Sequence, residues 1–266
     1  MESEYNPITG SPPEEVPLKN APLVRVIIQV RFPVIASIVR RDFIGPFQEA
    51  IRATYPILNQ EKVMGIVVGP RGGTAAPEET IWRFAEEAGN WRVSLAPNFV
   101  ALETSSYTSR SDFIGKFKAV AEALNEHIDP RIAARLGMRY IDRITDPNMD
   151  DIENLVRKEM LGILSTSMFE HIQHSLSETV FAFPNSDNKL LARWGCVPPK
   201  GTVDPNAIEP VDQKSWILDL DMFNDQQRPF DPNALASEAH VFAERLYTFF
   251  RWAVKKEFLK RYGGGA

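Results

Sequence analysis

The stretch from Trp91 to Ile144 constrains this chain more than any other. It reads Trp91-Arg-Val-Ser-Leu95, then Pro97-Asn98, then Phe99-Val-Ala-Leu-Glu-Thr104. A polar break follows, then Arg135-Leu-Gly-Met-Arg-Tyr-Ile-Asp-Arg-Ile144. Trp91, Val93 and Leu95 alternate with polar residues, and Val100, Leu102 and Thr104 repeat the pattern. Successive side chains of a strand point to opposite faces, so each run carries one apolar face. Pro97-Asn98 suits a tight turn between them. Ser111 and Asp112 read as a helix start, and Phe113, Phe117, Val120, Ala121, Leu124 and Ile128 form one apolar stripe. The last run alternates Leu136, Met138 and Tyr140 against Arg135, Arg139 and Arg143. The unit predicts strand, turn, strand, helix, strand.

The flanking segments extend this pattern. Val24, Val26, Ile28, Val30 and Phe32 alternate and predict a first strand, closed by Pro33. Residues 42–55 predict an amphipathic helix with Phe43, Phe47, Ala50, Ile51 and Thr54 on one side, stopped by Pro56. Residues 63–68 and 80–86 read as short strands, and Gly69 to Pro77 as a loop. Residues 150–163 have helical spacing. Residues 169–183 read as mostly extended, and 189–197 as the returning strand of a hairpin. Four prolines mark 198–213 as a long loop before a strand at 216–223. Asp231-Pro232 resembles a helix start. Leu235, Ala239, Phe242, Leu246, Phe249, Phe250 and Ala253 form the stripe of a helix over 233–255.

These elements predict an α+β protein, an antiparallel sheet packed by long amphipathic helices. Val100 to Tyr107 can be laid on Trp216 to Phe223 without gaps, and each is followed by a long helix. Two similar strand-then-helix halves are therefore expected, over 23–148 and 149–262. A proline-rich N-terminal arm, flexible or laid on the surface, occupies 1–22, and a flexible tail occupies 263–266.

Charge and composition narrow the class. The 30 basic and 35 acidic residues give a formal net charge of −5, which argues against broad nucleic-acid binding. A single cysteine rules out an internal disulfide framework and fits a reducing cytoplasm. No apolar run approaches the roughly 20 residues that span a bilayer. The start, Met1-Glu-Ser-Glu-Tyr, lacks the basic and apolar character of a secretory signal. A cytoplasmic protein without membrane contact is expected.

Four segments together resemble one known family: Ala21 to Pro33, Phe47 to Pro56, Trp91 to Tyr107 and Arg135 to Ile144. It is a sporadically distributed family of prokaryotic proteins of about this length, known under a TIGR family number and without an assigned activity. The resemblance implies a prokaryotic intracellular protein. Sporadic distribution is typical of mobile, defence or toxin–antitoxin genes. The resemblance implies no reaction and no site residue.

Candidate chemistry is sparse. His171 and His174 stand three apart in a stretch read as extended, which sends them to opposite faces. With one cysteine and no His-Glu-x-x-His pattern, no metal site is expected. Cys196 reads as a small buried hydrophobe rather than a nucleophile. Gly69-Pro-Arg-Gly-Gly-Thr74 lacks the Lys-Ser/Thr ending of a phosphate loop and reads as a surface hairpin. Asp219 and Asp221 share a strand face and read as solvated acids. No catalytic residue and no cofactor are assigned.

The arginines are the most suggestive feature. Arg135, Arg139 and Arg143 share one strand face, and Arg25 and Arg31 occupy the polar face of the first strand. In one sheet they form a basic groove for a phosphate, a nucleic acid or an acidic partner, with Glu103 beside it. The alternative pairs them with Glu103, Asp219 and Asp221 in cross-strand ion pairs. The leading expectation is a non-catalytic protein-interaction module, antitoxin-like or defence-associated, whose partner is another protein. A nucleic-acid or nucleotide/anion binder using the arginine face is the alternative, and an enzyme of unknown class the second. A homodimer is also expected, because Phe242, Tyr247, Phe249, Phe250 and Trp252 exceed what one helix stripe needs.

Overall fold

Alternation at Val26, Ile28 and Val30 becomes β1 (Leu23–Arg31), with all three side chains fully buried. α1 (Arg41–Ile51) follows and buries Ile44, Phe47 and Ile51. Five strands come next: β2 (Ile57–Val63), β3 (Ile66–Gly69), β4 (Gly72–Ala75), β5 (Glu79–Ala85) and β6 (Trp91–Ala96). β7 (Phe99–Thr104) leads to α2 (Arg110–His127), β8 (Ile132–Ala133) and β9 (Arg135–Thr145). Two single-turn helices, α3 (Ile152–Leu155) and α4 (Lys158–Leu161), precede β10 (Ser175–Ala182), β11 (Lys189–Val197) and β12 (Ser215–Asn224). The chain ends with β13 (Arg228–Pro229), α5 (Pro232–Ala253) and α6 (Lys256–Arg261). The computed structural model describes residues 5–63, 66–69, 72–75, 79–145 and 147–264.

The protein is α+β. One antiparallel sheet of nine strands runs in the order β10-β11-β12-β9-β1-β7-β6-β5-β2. The chain divides into two compact units. A terminal unit gathers Met1–Val26, Met138–Asn224 and His240–Ala266, and a central unit gathers Ile27–Gly137 and Asp225–Ala239.

In the central unit β5, β6 and β7 form an antiparallel meander. Phe47 of α1 meets Phe84 of β5 edge-on at 5.6 Å, and Trp91 of β6 lies 5.7 Å from Phe113 of α2. Such aromatic pairs add about 1 kcal/mol each to the area they bury. The Trp82 indole donates to the Ile38 carbonyl at 2.7 Å, so its one polar atom is satisfied in the core. α2 is capped by Ser109, whose hydroxyl accepts from the Asp112 amide at 3.2 Å, not by Ser111 as the sequence suggests.

In the terminal unit β10, β11 and β12 pair antiparallel, and the stripe of α5 from Phe242 to Ala253 is buried. The aromatic excess of this helix is used within the unit. Phe249 contacts Phe181 and Trp252, at 5.5 and 5.4 Å. The Tyr247 hydroxyl accepts from the Val16 amide at 2.7 Å, and Arg245 donates to the Gly10 carbonyl at 2.7 Å. The N-terminal arm is thereby fastened along α5.

The structure departs from the sequence reading in several places. β2 fills a stretch after Pro56 to which the sequence assigns no element; its sequence, Ile-Leu-Asn-Gln-Glu-Lys-Val, has no apolar alternation to reveal it. The helix expected over 150–163 is broken into single turns. Val156 and Arg157 are extended, and the Val156–Val254 bridge with the Arg157 amide on Ala253 explains the break. The stretch 169–183 opens with a helical turn at Phe169–His171 before β10 begins. Of the Gly69–Pro77 loop, Gly69 and Gly72 to Ala75 lie in the β3–β4 hairpin. Pro70, Arg71, Ala76 and Pro77 lie outside the described residues.

Candidate functional site

The five arginines do not form one row. In the terminal unit the Arg143 amide donates to the Pro22 carbonyl at 2.8 Å, which sets Pro22 opposite Arg143. By that register Arg25 stands opposite Tyr140 and shares its face, while Arg139 and Arg143 point to the other side. In the central unit the Ala134 amide donates to the Arg31 carbonyl at 2.7 Å, so Arg31 and Arg135 also point apart. The one-residue phase between neighbouring strands is invisible in the sequence, and it decides the face.

Arg139 is consumed by carboxylates. Its Nε and Nη2 donate to the two oxygens of Asp219 at 2.7 and 2.8 Å, and Nη1 donates to Asp204 at 2.8 Å. Asp219 is buried and also receives Arg193 at 2.6 Å, so one carboxylate bridges two guanidinium groups. Burial alone pushes the Arg139 guanidinium down, but Asp219 and then Asp204 outweigh it and hold it above its ordinary value. Burial likewise pushes Asp204 up, and the Arg139 bond reverses this, leaving the carboxyl below the usual range. Arg143 donates to the Glu209 carbonyl at 2.6 Å, and burial lowers its pKa. Asp204 and Glu209 both belong to the 198–214 loop, whose Ala207 and Ile208 are buried. The arginine face of β9 therefore pins this loop down. A buried pair of this kind offsets its desolvation only through complete hydrogen bonding, and Arg139 supplies three bonds.

The other assigned residues are placed separately. Arg135 pairs with Asp225 at 3.3 Å, Arg31 Nε donates to Gln29 at 3.1 Å, and Glu103 pairs with its cross-strand neighbour Arg92. Cys196 is buried, and burial pushes its thiol up, the reverse of what a thiolate nucleophile needs. Among the described residues no three His, Cys, Asp or Glu side chains gather as a metal group. No described helix is long and apolar enough to cross a membrane.

Sequence reasoning passed over the edge of the terminal unit's sheet. β10 is the last strand of that sheet and pairs only with β11. Among the described residues no backbone group of Ser175–Ala182 bonds any segment beyond β11. Leu176, Glu178, Val180 and Ala182 share one face, and all four are exposed, Val180 by 58% and Leu176 by 41%. Glu178 makes no hydrogen bond or ion pair among the described residues. In the central unit the edge strand β2 carries Asn59, Gln60, Glu61 and Lys62, the polar dressing that protects an edge from further pairing. β10 has one charge in eight residues and no proline. The sequence signal was available: a run of strand formers whose both phases are only partly apolar.

No family model, curated protein or solved structure matches this chain.

Proposed function

We propose that this protein is a non-catalytic interaction module that binds an extended segment of another protein along the open edge of β10. The observation that carries this reading is an eight-residue edge strand whose outer backbone row pairs with nothing among the described residues and one whole face of which is exposed. A strand added at such an edge gains main-chain hydrogen bonds, and alternate side chains give it specificity. Leu176 and Val180 flank Glu178, so the segment that fits carries a basic side chain between two apolar ones. A second copy of the chain fits less well. The antiparallel register that keeps the exposed faces of two β10 strands on one side pairs Leu176 with Val180 and sets Glu178 directly opposite its own copy, which draws two like charges together. The saturated arginine face favours this reading over an anion site on β9. The resemblance to a sporadic prokaryotic family supports a partner within a defence or toxin–antitoxin system.

Val180→Lys places a charge on the exposed face and leaves the buried core untouched. Affinity capture from the native host with nuclease present should retain one stoichiometric protein on the wild-type chain. The same capture on a Val180→Lys chain of unchanged melting temperature should lose it. Equal retention by both chains, or retention of no protein at all, overturns the proposal.

A further inference from the structure

Where α4, the end of α5 and the start of α6 meet, the terminal unit leaves an open pocket of about 460 Å³. Arg157, Lys158, Arg251, Lys255 and Lys256 line it, against one acid, Glu159. The Val156–Val254 bridge and the Lys255 amide on the Leu155 carbonyl (2.8 Å) hold the walls together. Among the described residues none of these five cations makes an ion pair. Arg157 lies over the Trp252 ring at 5.5 Å, and Lys255 donates to the Glu153 carbonyl. Arg251 Nη1 donates to the Tyr247 hydroxyl at 3.0 Å and the Glu14 carbonyl at 2.9 Å. All of these acceptors are neutral. The Arg251 Nε is buried without an acceptor among the described residues, and Lys158 and Lys256 make no ion pair there.

Five cations gathered in a chain of net charge −5 repel one another. A ligand with several negative charges removes that cost and supplies the acceptors that Arg251 lacks. We propose that this pocket binds a small phosphorylated anion of the pyrophosphate class, held by Lys158, Lys256 and Arg251. The volume lies in the range of small-molecule sites, roughly 300–1,000 Å³. The negative net charge disfavours a long polyanion such as a nucleic acid. This site is separate from the β10 edge and does not depend on it.

Calorimetric titration of the full chain with sodium pyrophosphate tests this. One saturable site is expected, weakened about tenfold or more in the Lys158→Ala/Lys256→Ala double variant. Both lysines are exposed and their removal relieves part of the repulsion, so the unliganded melting temperature should not fall. Lys256→Gln alone repeats the comparison should the double variant fold poorly. Lys118→Ala on α2, outside the pocket, should bind as wild type. No saturable heat up to about 10 mM pyrophosphate, or equal affinity of wild type and pocket variants, overturns the site. Tighter binding of a single-stranded oligonucleotide that displaces pyrophosphate overturns the small-molecule assignment.

Discussion

Asp142 occupies the apolar phase of β9, in step with Leu136, Met138, Tyr140 and Ile144, and it is buried with them. Burial is the cause that lifts its carboxyl from the ordinary 3.8 to about 7. The Tyr262 phenol, itself raised first by burial, lies close enough to feel its charge and receives the Asn148 amide at 3.2 Å. The folded chain therefore holds a proton on Asp142 that the unfolded chain releases above pH 4. Stability from this group is present at low pH and is lost as pH rises through 7. The gap corresponds to roughly 4 kcal/mol, since each pH unit is worth about 1.4. Asp142→Asn should raise the urea midpoint at pH 8 and flatten its fall between pH 4 and 7. A variant no more stable than wild type at pH 8 would show that the acid is solvated or paired. In the sequence Asp142 stands beside Arg143 and reads as one more surface charge. Only its phase, in step with Leu136, Met138 and Tyr140, marks it. The arginines show the converse limit: their faces depend on the register of β1 against β9, which hydrogen bonds set and composition does not record.

Elements were legible wherever one face is buried. β1, β6, β7, α2, β9, β12 and α5 all carry strict alternation or a stripe, because their apolar residues fill a core. β2 was not legible, because an edge strand with polar side chains on both faces has no period to detect. Residues 150–163 misled for the opposite reason. Their spacing is helical, but a backbone bridge from Val156 to Val254 interrupts the helix, and a local pattern cannot contain a bond to a residue so far along the chain. β10 carries a further constraint at its neighbour. Gly195 of β11 sits opposite Leu176 with φ +143°, and a Cβ there would overlap the Ser175 carbonyl. Gly195→Ala should therefore push the start of β10 away from β11 and cost at least about 1 kcal/mol. Hydrogen exchange should show Leu176 and its neighbours losing protection while β6 and β7 keep theirs. Unchanged protection at Leu176 would mean that the edge tolerates the side chain and is less fixed than its register implies.

At the scale of the whole molecule, the chain passes between the two compact units within secondary-structure elements. The chain leaves one for the other inside β1 at Val26–Ile27, inside β9 at Gly137–Met138, and inside α5 at Ala239–His240. Neither unit can unfold alone without ending two strands and a helix part-way along. A partly melted strand loses ladder bonds, and a helix cut mid-length leaves backbone groups without partners. Chains of this length often unfold in steps, so connectivity of this kind makes a distinct demand. One calorimetric transition is expected, with an enthalpy of about 190 kcal/mol near 60 °C at roughly 0.7 kcal/mol per residue, and with the van't Hoff value equal to it. Tryptophan fluorescence should agree, since Trp82 and Trp91 report on the central unit and Trp194, Trp216 and Trp252 on the terminal unit. Two transitions, each carrying about half that enthalpy, would mean that β1, β9 and α5 can break at the unit boundaries, and that the shared elements join the units without coupling them.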